Sequence, residues 1–333
     1  MANMKINNIE YRVIDTFDNI VTIPDCFVLG HNKIGTGHGE AKLYIGSKEI
    51  MREFFGGEGF TAKSFILKKD LQSYLELVKD EYTQPSYDYH NKTDFPDIWA
   101  KHIAQVSELD DIIYFSVKDQ TQIQGPRGYV NTSRTDLGYK LIRTIALPII
   151  SYISVMKLMD QTGEVSYYWK IFVDFELAAE RKQSSLVLSY GKGNKKNTAK
   201  PISKKSREIG YARVGQGKYR EQLLEECPFC PITMVNDERL LIASHIKPWA
   251  KSNDKEKVDP KNGYMLTPLY DALFDKGFIT FTDDKRMIIS NWLSPKNKQR
   301  LNLKDDEYFA RLPIDDARKL YLEYHRNNIF KGE

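Results

Sequence analysis

Hydrophobic positions in the first half of the chain form one long apolar stretch, segments with helical spacing and short runs of strand length. Residues 145–159 are the most continuous apolar stretch, and we expect them to form a core helix. Helical spacing of apolar positions marks residues 46–55, 68–82 and 94–106. Apolar runs of strand length, rich in β-branched and aromatic residues, occupy residues 10–17, 25–30, 110–119 and 165–177. Strands and helices mixed in this way predict an α+β domain over residues 1–180.

The C-terminal part of the chain has two short apolar runs separated by a charged loop. The first run, residues 240–243, has strand length and leads to His245. A polar loop rich in lysine and aspartate follows it. Asn262 and Gly263 form a pair that is typical of a turn, and the second apolar run begins directly after them. This pattern predicts two strands, with His245 at the end of the first and Asn262 at the start of the second.

A short helix is predicted after the second strand. Thr267 and Pro268 are typical of a helix cap and a first helical residue, and Gly277 ends the helix that they begin. Alternating apolar positions over residues 278–290 predict a hairpin, and residues 315–330 have the spacing of an amphipathic helix. The first of these helices carries two carboxylates, Asp271 and Asp275.

Composition sets outer limits on the kind of protein. The chain has 333 residues, 41% hydrophobic and 12% aromatic, which is enough for two domains that each have a core. Three cysteines, an odd number without a disulfide framework, suit a reducing compartment, so we expect a cytoplasmic protein. The N-terminus lacks an apolar signal region, and residues 145–159 are too short and too polar to span a bilayer. We therefore expect no membrane association.

Positive charge is concentrated in one segment. Residues 181–220 contain twelve basic residues and one acidic residue, whereas the net charge of the whole chain is only +4. Residues 181–212 also contain glycine, asparagine, serine and proline among the lysines, which is typical of a flexible linker. The segment is either a solvated linker or a binding surface for the phosphates of a polyanion. The predicted organisation is a domain over 1–180, a basic linker over 181–212 and a second domain over 213–333.

A polar loop over residues 120–136 is a second candidate for nucleic-acid contact. It carries Arg127, Asn131 and Arg134, side chains that can contact base edges or phosphates, although an ordinary polar hairpin has the same composition. The glycine-rich stretch over residues 31–46 lacks a G-x-G-x-x-G motif that opens a helix. We therefore expect no nucleotide cofactor.

Five segments in a fixed order resemble the HNH, or ββα-metal, endonuclease family. They are RVGQGKYR at 213–220, Cys230, ASHIKPW at 243–249, DPKNG at 259–263 and DALFDKG at 271–277. The resemblance is to a subgroup of restriction-endonuclease type. It covers the C-terminal side of the chain and does not extend to the first 180 residues. It implies a ββα-metal nuclease domain behind an α+β recognition domain.

The resemblance also implies roles for three side chains. His245 is the general base, and an imidazole with an ordinary pKa near 6.5 can take a proton from water at neutral pH. Asn262 either holds the loop beside His245 or contributes to the metal. Asp271 stands where the family has its third histidine and is the candidate ligand for Mg²⁺ or Mn²⁺, which a carboxylate suits. Asp275 is a weaker candidate for the same ion.

Contacts with double-stranded DNA are expected from the polar loop, the basic segment and the motifs. The candidates are Arg127, Asn131, Arg134, Arg207, Arg213, Gln216, Lys218, Arg220 and Lys247. Cys227 and Cys230 form a C-x-x-C pair, but the only other cysteine is Cys26 and zinc needs four ligands, so no structural zinc is expected.

These observations favour a sequence-specific restriction endonuclease of type II kind, because a non-specific nuclease needs little beyond its catalytic unit. One HNH site cuts one strand, so cleavage of both strands requires a homodimer or rebinding. A first alternative is a nuclease that depends on a modified base, held among aromatic rings such as Tyr167, Tyr168 and Trp169. A second alternative is a DNA-binding protein with a degenerate HNH scaffold.

Overall fold

The computed structural model describes residues 3–18, 21–23, 43–85, 89, 94–120, 125–133, 135–174 and 217–332. The chain divides into two compact units, residues 1–194 and 195–333. The predicted strand 25–30 and the predicted linker 181–212 lie outside the described residues, so the linker boundaries stay a prediction. Both units contain helices and strands, which confirms the α+β class. No helix in the described part of the chain has both the length and the apolar character needed to cross a membrane.

The strands described in the first unit form one sheet of nine. Their bounds are Asn3–Ile6 (β1), Ile9–Thr16 (β2), Val21–Thr22 (β3), Tyr44–Ser47 (β4), Thr61–Leu67 (β5), Ile112–Lys118 (β6), Arg127–Tyr129 (β7), Ser151–Met159 (β8) and Val165–Val173 (β9). The order across the sheet is β6-β5-β9-β8-β3-β4-β7, and β2 joins β8 to β1. Among these described strands only β5 and β9 pair in parallel. Strand β8 therefore lies near the middle of the sheet.

The helices of the first unit pack on this sheet. Their bounds are Lys48–Phe55 (α1), Lys68–Leu77 (α2), Lys79–Thr83 (α3), Phe95–Ser107 (α4) and Leu137–Ile145 (α5). Helix α1 begins where the Ser47 hydroxyl accepts the Ile50 amide and ends at Gly56, whose φ is +116°. Apolar side chains of α1, α2, α4 and α5 share one core cluster with Val155 and Trp169 of the sheet. The predicted helices 46–55 and 94–106 and the strands 10–17, 110–119 and 165–177 are confirmed, within a few residues at their ends.

The predicted core helix over residues 145–159 is wrong. Helix α5 ends at Ile145, and Ser151–Met159 is the central strand β8. Pro148 lies between them and disfavours helical backbone in the residue before it. Residues 151–156 are all buried, as expected for a strand covered on both faces, and such a run has no period that distinguishes it from a buried helix.

The predicted single helix over residues 68–82 is instead two helices that meet at Val78. There φ is −100° and ψ is 7°, outside helical values. The indole of Trp99 donates a hydrogen bond to the Leu75 carbonyl (2.9 Å), the acceptor that a continuous helix offers to the Lys79 amide. A side chain that enters the hydrogen-bond ladder of a helix bends it. The break therefore depends on a tertiary contact from α4.

The second unit is built around a small hairpin and a helix. Residues 217–226 form helix α6. The remaining elements are Ile242–His245 (β10), Gly263–Leu266 (β11), Pro268–Asp275 (α7), Ile279–Phe281 (β12), Met287–Ile289 (β13), Pro295–Arg300 (α8) and Asp316–Asn328 (α9). Strands β10 and β11 pair in antiparallel fashion, as do β12 and β13. Their apolar faces share a core with α6, α7 and α9. The predicted strands, hairpin and helices of this unit are confirmed, with the first strand shifted two residues toward His245.

Candidate active site

The hairpin β10–β11 brings His245 next to Asn262. His245 is the last residue of β10 and pairs with Gly263, the first residue of β11. The Ile246 amide donates to the Asn262 carbonyl (3.1 Å), which continues the ladder by one step. His245 and Asn262 are therefore neighbours in space, although the charged loop separates them in sequence. Helix α7, which carries Asp271, packs against both strands of the hairpin.

The imidazole of His245 is held between two aromatic rings. Tyr219 of α6 stacks on it with ring centroids 4.0 Å apart and planes 17° apart. Trp249 meets it edge-on at 5.5 Å. The ring is half-buried, and burial lowers the pKa of His245 below its ordinary value, although a hydrogen bond to the Lys257 backbone opposes the shift. The imidazole is consequently neutral at neutral pH.

The hydrogen bond of His245 also assigns its tautomer. Its Nε2 lies 3.0 Å from the carbonyl oxygen of Lys257. A carbonyl oxygen can only accept, so Nε2 carries the proton and Nδ1 carries the lone pair. In this tautomer Nδ1 is the atom that can accept a proton from water.

Asn262 is fully buried and its side-chain amide holds the loop between the two strands. Its Oδ1 accepts the Lys247 amide (2.8 Å), and its Nδ2 lies within donating distance of the carbonyls of Lys247 (3.2 Å) and Glu256 (3.0 Å). Nδ2 also lies 3.3 Å from the Ser252 hydroxyl. Both ends of the amide are thus engaged with the loop that follows His245 and provides the Lys257 carbonyl.

Gly263 allows a close approach that a side chain would prevent. A Cβ atom at this position would lie 1.8 Å from the Tyr219 hydroxyl and 2.8 Å from the Ser244 carbonyl. The Tyr219 hydroxyl uses this space to donate to the Asn262 carbonyl (3.0 Å). The ring that stacks on His245 is thereby tied to the short turn that ends in Asn262, directly before β11.

Asp271 lies in the first turn of α7 and is half-buried. Asp275 lies one turn further along the same helix, is more exposed, and has its carboxylate 3.8 Å from the Lys276 amine. Within the described residues no three His, Cys, Asp or Glu side chains converge on a point that would enclose a metal ion. Mg²⁺ commonly binds through one or two carboxylates and takes its other ligands from water and substrate phosphate. Asp271 is a single half-buried carboxylate, which is the type of protein ligand that such an ion uses.

The two cysteines of the C-x-x-C pair are buried thiols. Cys230 belongs to the core of the second unit. The Cys227 sulfur lies 3.2 Å from the carbonyl oxygen of Phe229. Burial raises the pKa of Cys227 above its ordinary value, which favours the neutral thiol over the thiolate that binds metals.

The residues predicted to contact DNA differ in their surroundings. Lys218 is exposed on α6, whereas the Arg220 guanidinium donates to the carbonyls of Leu241 (2.8 Å) and Glu238 (2.7 Å). The Lys247 amine is paired with the Glu256 carboxylate at 2.7 Å. DNA contact by any of them stays a prediction.

In the first unit, Arg127 is exposed on β7, and the side-chain amide of Asn131 donates to the Asp119 carbonyl (3.1 Å). The candidates Arg134, Arg207, Arg213 and Gln216 lie outside the described residues.

Three residues at the site were not predicted from the sequence. Tyr219 lies within one of the quoted motifs, which is the signal that could have identified it, but the sequence does not show that its ring stacks on His245. Trp249 also lies within a motif. Lys257 contributes only its backbone carbonyl, and no sequence signal identifies a carbonyl that orients a histidine.

Residues 230–282 match the model of the HNH_2 family, described as HNH endonuclease. The matched segment contains both strands of the β10–β11 hairpin, helix α7, and the residues His245, Asn262 and Asp271. No curated protein matches the chain. The second unit therefore contains a segment that matches an HNH endonuclease domain, and this match suggests nuclease activity.

Proposed function

We propose that this protein is a metal-dependent endonuclease that hydrolyses phosphodiester bonds of double-stranded DNA, with His245 as the general base. The observation that carries the proposal is the environment of the imidazole. Its Nε2 is bound to the Lys257 carbonyl, its plane is stacked on Tyr219, and its lowered pKa keeps it neutral. A neutral imidazole with one fixed nitrogen and one available lone pair is suited to proton abstraction.

The proposed reaction uses the lone pair on Nδ1 of His245. His245 Nδ1 accepts a proton from a water molecule as the water oxygen attacks phosphorus. A new P–O bond forms, and the bond from phosphorus to the 3′ oxygen breaks. The leaving oxygen takes a proton from solvent, and the imidazolium returns its proton to solvent. The expected products carry a 5′-phosphate and a 3′-hydroxyl.

Asp271 is the residue that we propose to hold Mg²⁺ or Mn²⁺. A divalent cation held by this carboxylate would supply charge neutralisation at the scissile phosphate and at the leaving oxygen. Asn262 is assigned to positioning, because Oδ1 and Nδ2 are already bonded to the loop. The chain itself contributes the base, the orientation of its ring and one carboxylate.

We further propose that the first unit selects the target, which makes the protein a restriction endonuclease of type II kind. Its support is a separate unit with its own core and an exposed arginine on β7. The modified-base alternative loses one argument. Trp169, Tyr168 and Tyr167 are only 1%, 2% and 3% exposed, so these rings are core residues and not the walls of an open pocket. Two chains acting together would cut both strands.

Digestion of genomic DNA with Mg²⁺ or Mn²⁺, followed by sequencing of the fragment ends, tests this proposal. Sequence-specific cleavage gives one shared motif at the ends, with 5′-phosphates. Parallel digests of unmodified, methylated and hydroxymethylated DNA separate the two restriction hypotheses. Ends without a shared motif would contradict sequence selection, and uncut DNA under every metal condition would contradict the nuclease itself.

A further inference from the structure

The C-terminal helix α9 lies outside the segment that matches the HNH model, yet its polar side chains bind the segments that carry the candidate site. Residues 230–282 match the model, and α9 spans Asp316–Asn328. One helix can stabilise a domain through apolar contacts alone. Helix α9 also makes polar contacts with the turn before β11 and with helix α7.

The Arg318 guanidinium contacts the backbone on both sides of Asn262. Its Nη2 donates to the carbonyl of Pro260 (3.2 Å), and its Nε lies 3.5 Å from the carbonyl of Gly263. These two residues lie on either side of Asn262 in the chain. The side chain of Arg318 is 2% exposed, so each of its contacts is made away from water.

The buried charge of Arg318 is compensated by two carboxylates. Glu226 of α6 lies at 2.7 Å, and Asp315 at the start of α9 also lies at 2.7 Å. Lys261, the neighbour of Asn262, pairs with the same two carboxylates at 2.9 and 3.3 Å. Two cations and two anions therefore fix the turn to α6 and α9, and the loss of one partner would leave a buried charge unpaired.

Tyr321, one turn further along α9, fixes the start of the same turn. Its hydroxyl donates to Asp259 Oδ2 (2.8 Å). The other carboxylate oxygen of Asp259 accepts the Lys261 amide (2.9 Å), and its carbonyl accepts the Asn262 amide (2.9 Å). Asp259 is thus the cap of the short turn that ends in Asn262, and Tyr321 orients that cap.

His325 connects the same helix to α7. Its Nε2 lies 3.1 Å from the Phe274 carbonyl, its Nδ1 lies 3.0 Å from the Thr280 hydroxyl, and its ring stacks on that of Phe274 at 3.9 Å. Phe274 lies on α7 three residues after Asp271. Near the end of α9, a Cβ atom on Gly277 would lie 2.1 Å from the Ile329 carbonyl, so the two helix ends are in close contact.

We propose that α9 is a positioning element of the nuclease site, with Arg318 and Tyr321 fixing the turn of Asn262 and His325 fixing the helix of Asp271. The inference rests on the proposed function, because these positions matter for cleavage only if His245, Asn262 and Asp271 form the site. None of the three α9 residues is assigned a contact with substrate. The effect of Arg318 and Tyr321 passes through Asn262 to the loop whose Lys257 carbonyl orients His245, whereas the effect of His325 passes through Phe274 to the helix that carries Asp271.

The test uses full-length Tyr321→Phe and Arg318→Lys. Tyr321→Phe removes one hydroxyl and keeps the ring, and Arg318→Lys keeps a positive charge but loses the bonds to both carbonyls. We expect kcat for plasmid cleavage to fall about 10- to 100-fold, the range typical of residues that orient active-site groups. KM for DNA should stay within about twofold, because substrate contacts are unchanged.

A second readout does not depend on cleavage. Amide hydrogen exchange of Ile246 and Lys247, measured by NMR, reports on the bonds to the Asn262 carbonyl and Oδ1. Both amides should exchange faster in Tyr321→Phe and in Arg318→Lys. Leu322→Val, a change of the buried apolar side of the same helix, is the matched control for stability, and Lys319→Ala is the control for its exposed side. Neither control should raise the exchange rates of the two amides by more than its change in Tm accounts for.

Wild-type kcat together with wild-type exchange in Tyr321→Phe would overturn the inference. An equal loss of kcat in Leu322→Val at the same Tm would also overturn it, because α9 would then act only through stability. Failure of the proposed function looks different, since the wild-type protein would leave DNA uncut or His245→Ala would cut normally. The exchange of the two amides still decides in that case whether α9 holds the turn.

Discussion

Substitution of Asn262 by Asp distinguishes a residue that holds the loop from one that binds metal. The two side chains have nearly the same shape, but Asp lacks the donors that face the carbonyls of Lys247 and Glu256. If Asn262 were a metal ligand, a carboxylate would bind a hard cation at least as well as an amide oxygen. If Asn262 holds the loop, Asn262→Asp keeps the acceptor of the Lys247 amide but removes the hydrogen bonds that Nδ2 donates, and it sets a carboxylate oxygen against two carbonyl oxygens.

The expected loss of stability follows from the burial of the site. Two hydrogen bonds contribute about 1 kcal/mol each, and an uncompensated buried charge costs roughly 3 to 5 kcal/mol more. The total is a large part of the roughly 5 to 15 kcal/mol that stabilises a typical domain. Burial raises the pKa of the new carboxyl in the folded state. The destabilisation is therefore greatest at neutral pH and shrinks as the pH falls through that raised pKa towards the ordinary value near 3.9.

Urea unfolding at pH 7 and pH 5, and plasmid cleavage over a range of Mg²⁺ and Mn²⁺ concentrations, measure both effects. We expect Asn262→Asp to unfold at lower urea at pH 7, to recover part of that difference at pH 5, and to lose cleavage that added metal does not restore. Asn262→Ala, which introduces no charge, is the control and should show no such recovery. Wild-type cleavage by Asn262→Asp at the same or a lower metal concentration would refute the loop-holding role.

Three further predictions concern the surroundings of the site. Gly263→Ala should destabilise the protein by about 1 to 3 kcal/mol, because the alanine methyl group would overlap the Tyr219 hydroxyl. In a thermal unfolding assay, the double variant with Tyr219→Phe should recover part of that loss. Equal losses in the single and double variants would contradict this explanation. Because burial lowers the pKa of His245, kcat/KM should rise with pH through a midpoint below 6.5 and lose that limb in His245→Ala, and a midpoint above 7 would count against the assignment. Burial lowers the pKa of His325 from 6.5 to about 4, so the unfolded chain takes up this proton first as the pH falls. The free energy of unfolding should therefore fall by roughly 3 kcal/mol as the pH is lowered from 6.5 to 4. Urea unfolding of His325→Gln should lack this part of the pH dependence.

The second unit was predictable because its signals are local. Pro268 at a helix start, Gly277 at its end and the Asn262-Gly263 pair each act on their own backbone, and φ of Gly277 is +69° as a helix end of this kind requires. The order of the motifs then predicted a histidine at the end of one strand, an asparagine at the start of the next and an aspartate on the helix that follows; in the structure Asn262 directly precedes β11. The hairpin and α7 follow that prediction.

Other features depend on contacts between distant parts of the chain. The run 145–159 was assigned to a helix because a strand buried on both faces has no alternation. The break at Val78 depends on Trp99, twenty-one residues away in sequence. Arg318 lies 55 residues beyond Gly263, and a polar residue on an amphipathic helix gives no sign of which carbonyl it will bind. The places of His245, Asn262 and Asp271 along the hairpin and α7 could be predicted from the sequence, whereas the groups that contact His245 and Asn262 could not.

His245→Ala tests most directly whether His245 removes the proton from the attacking water. The variant and the wild-type protein should be compared for plasmid cleavage in Mg²⁺ and Mn²⁺, for DNA affinity and for Tm. We predict a loss of cleavage of about 10²- to 10⁴-fold with nearly unchanged DNA affinity and a folded protein. Cleavage at the wild-type rate, or loss of DNA binding as large as the loss of cleavage, would contradict the role of His245 as the base.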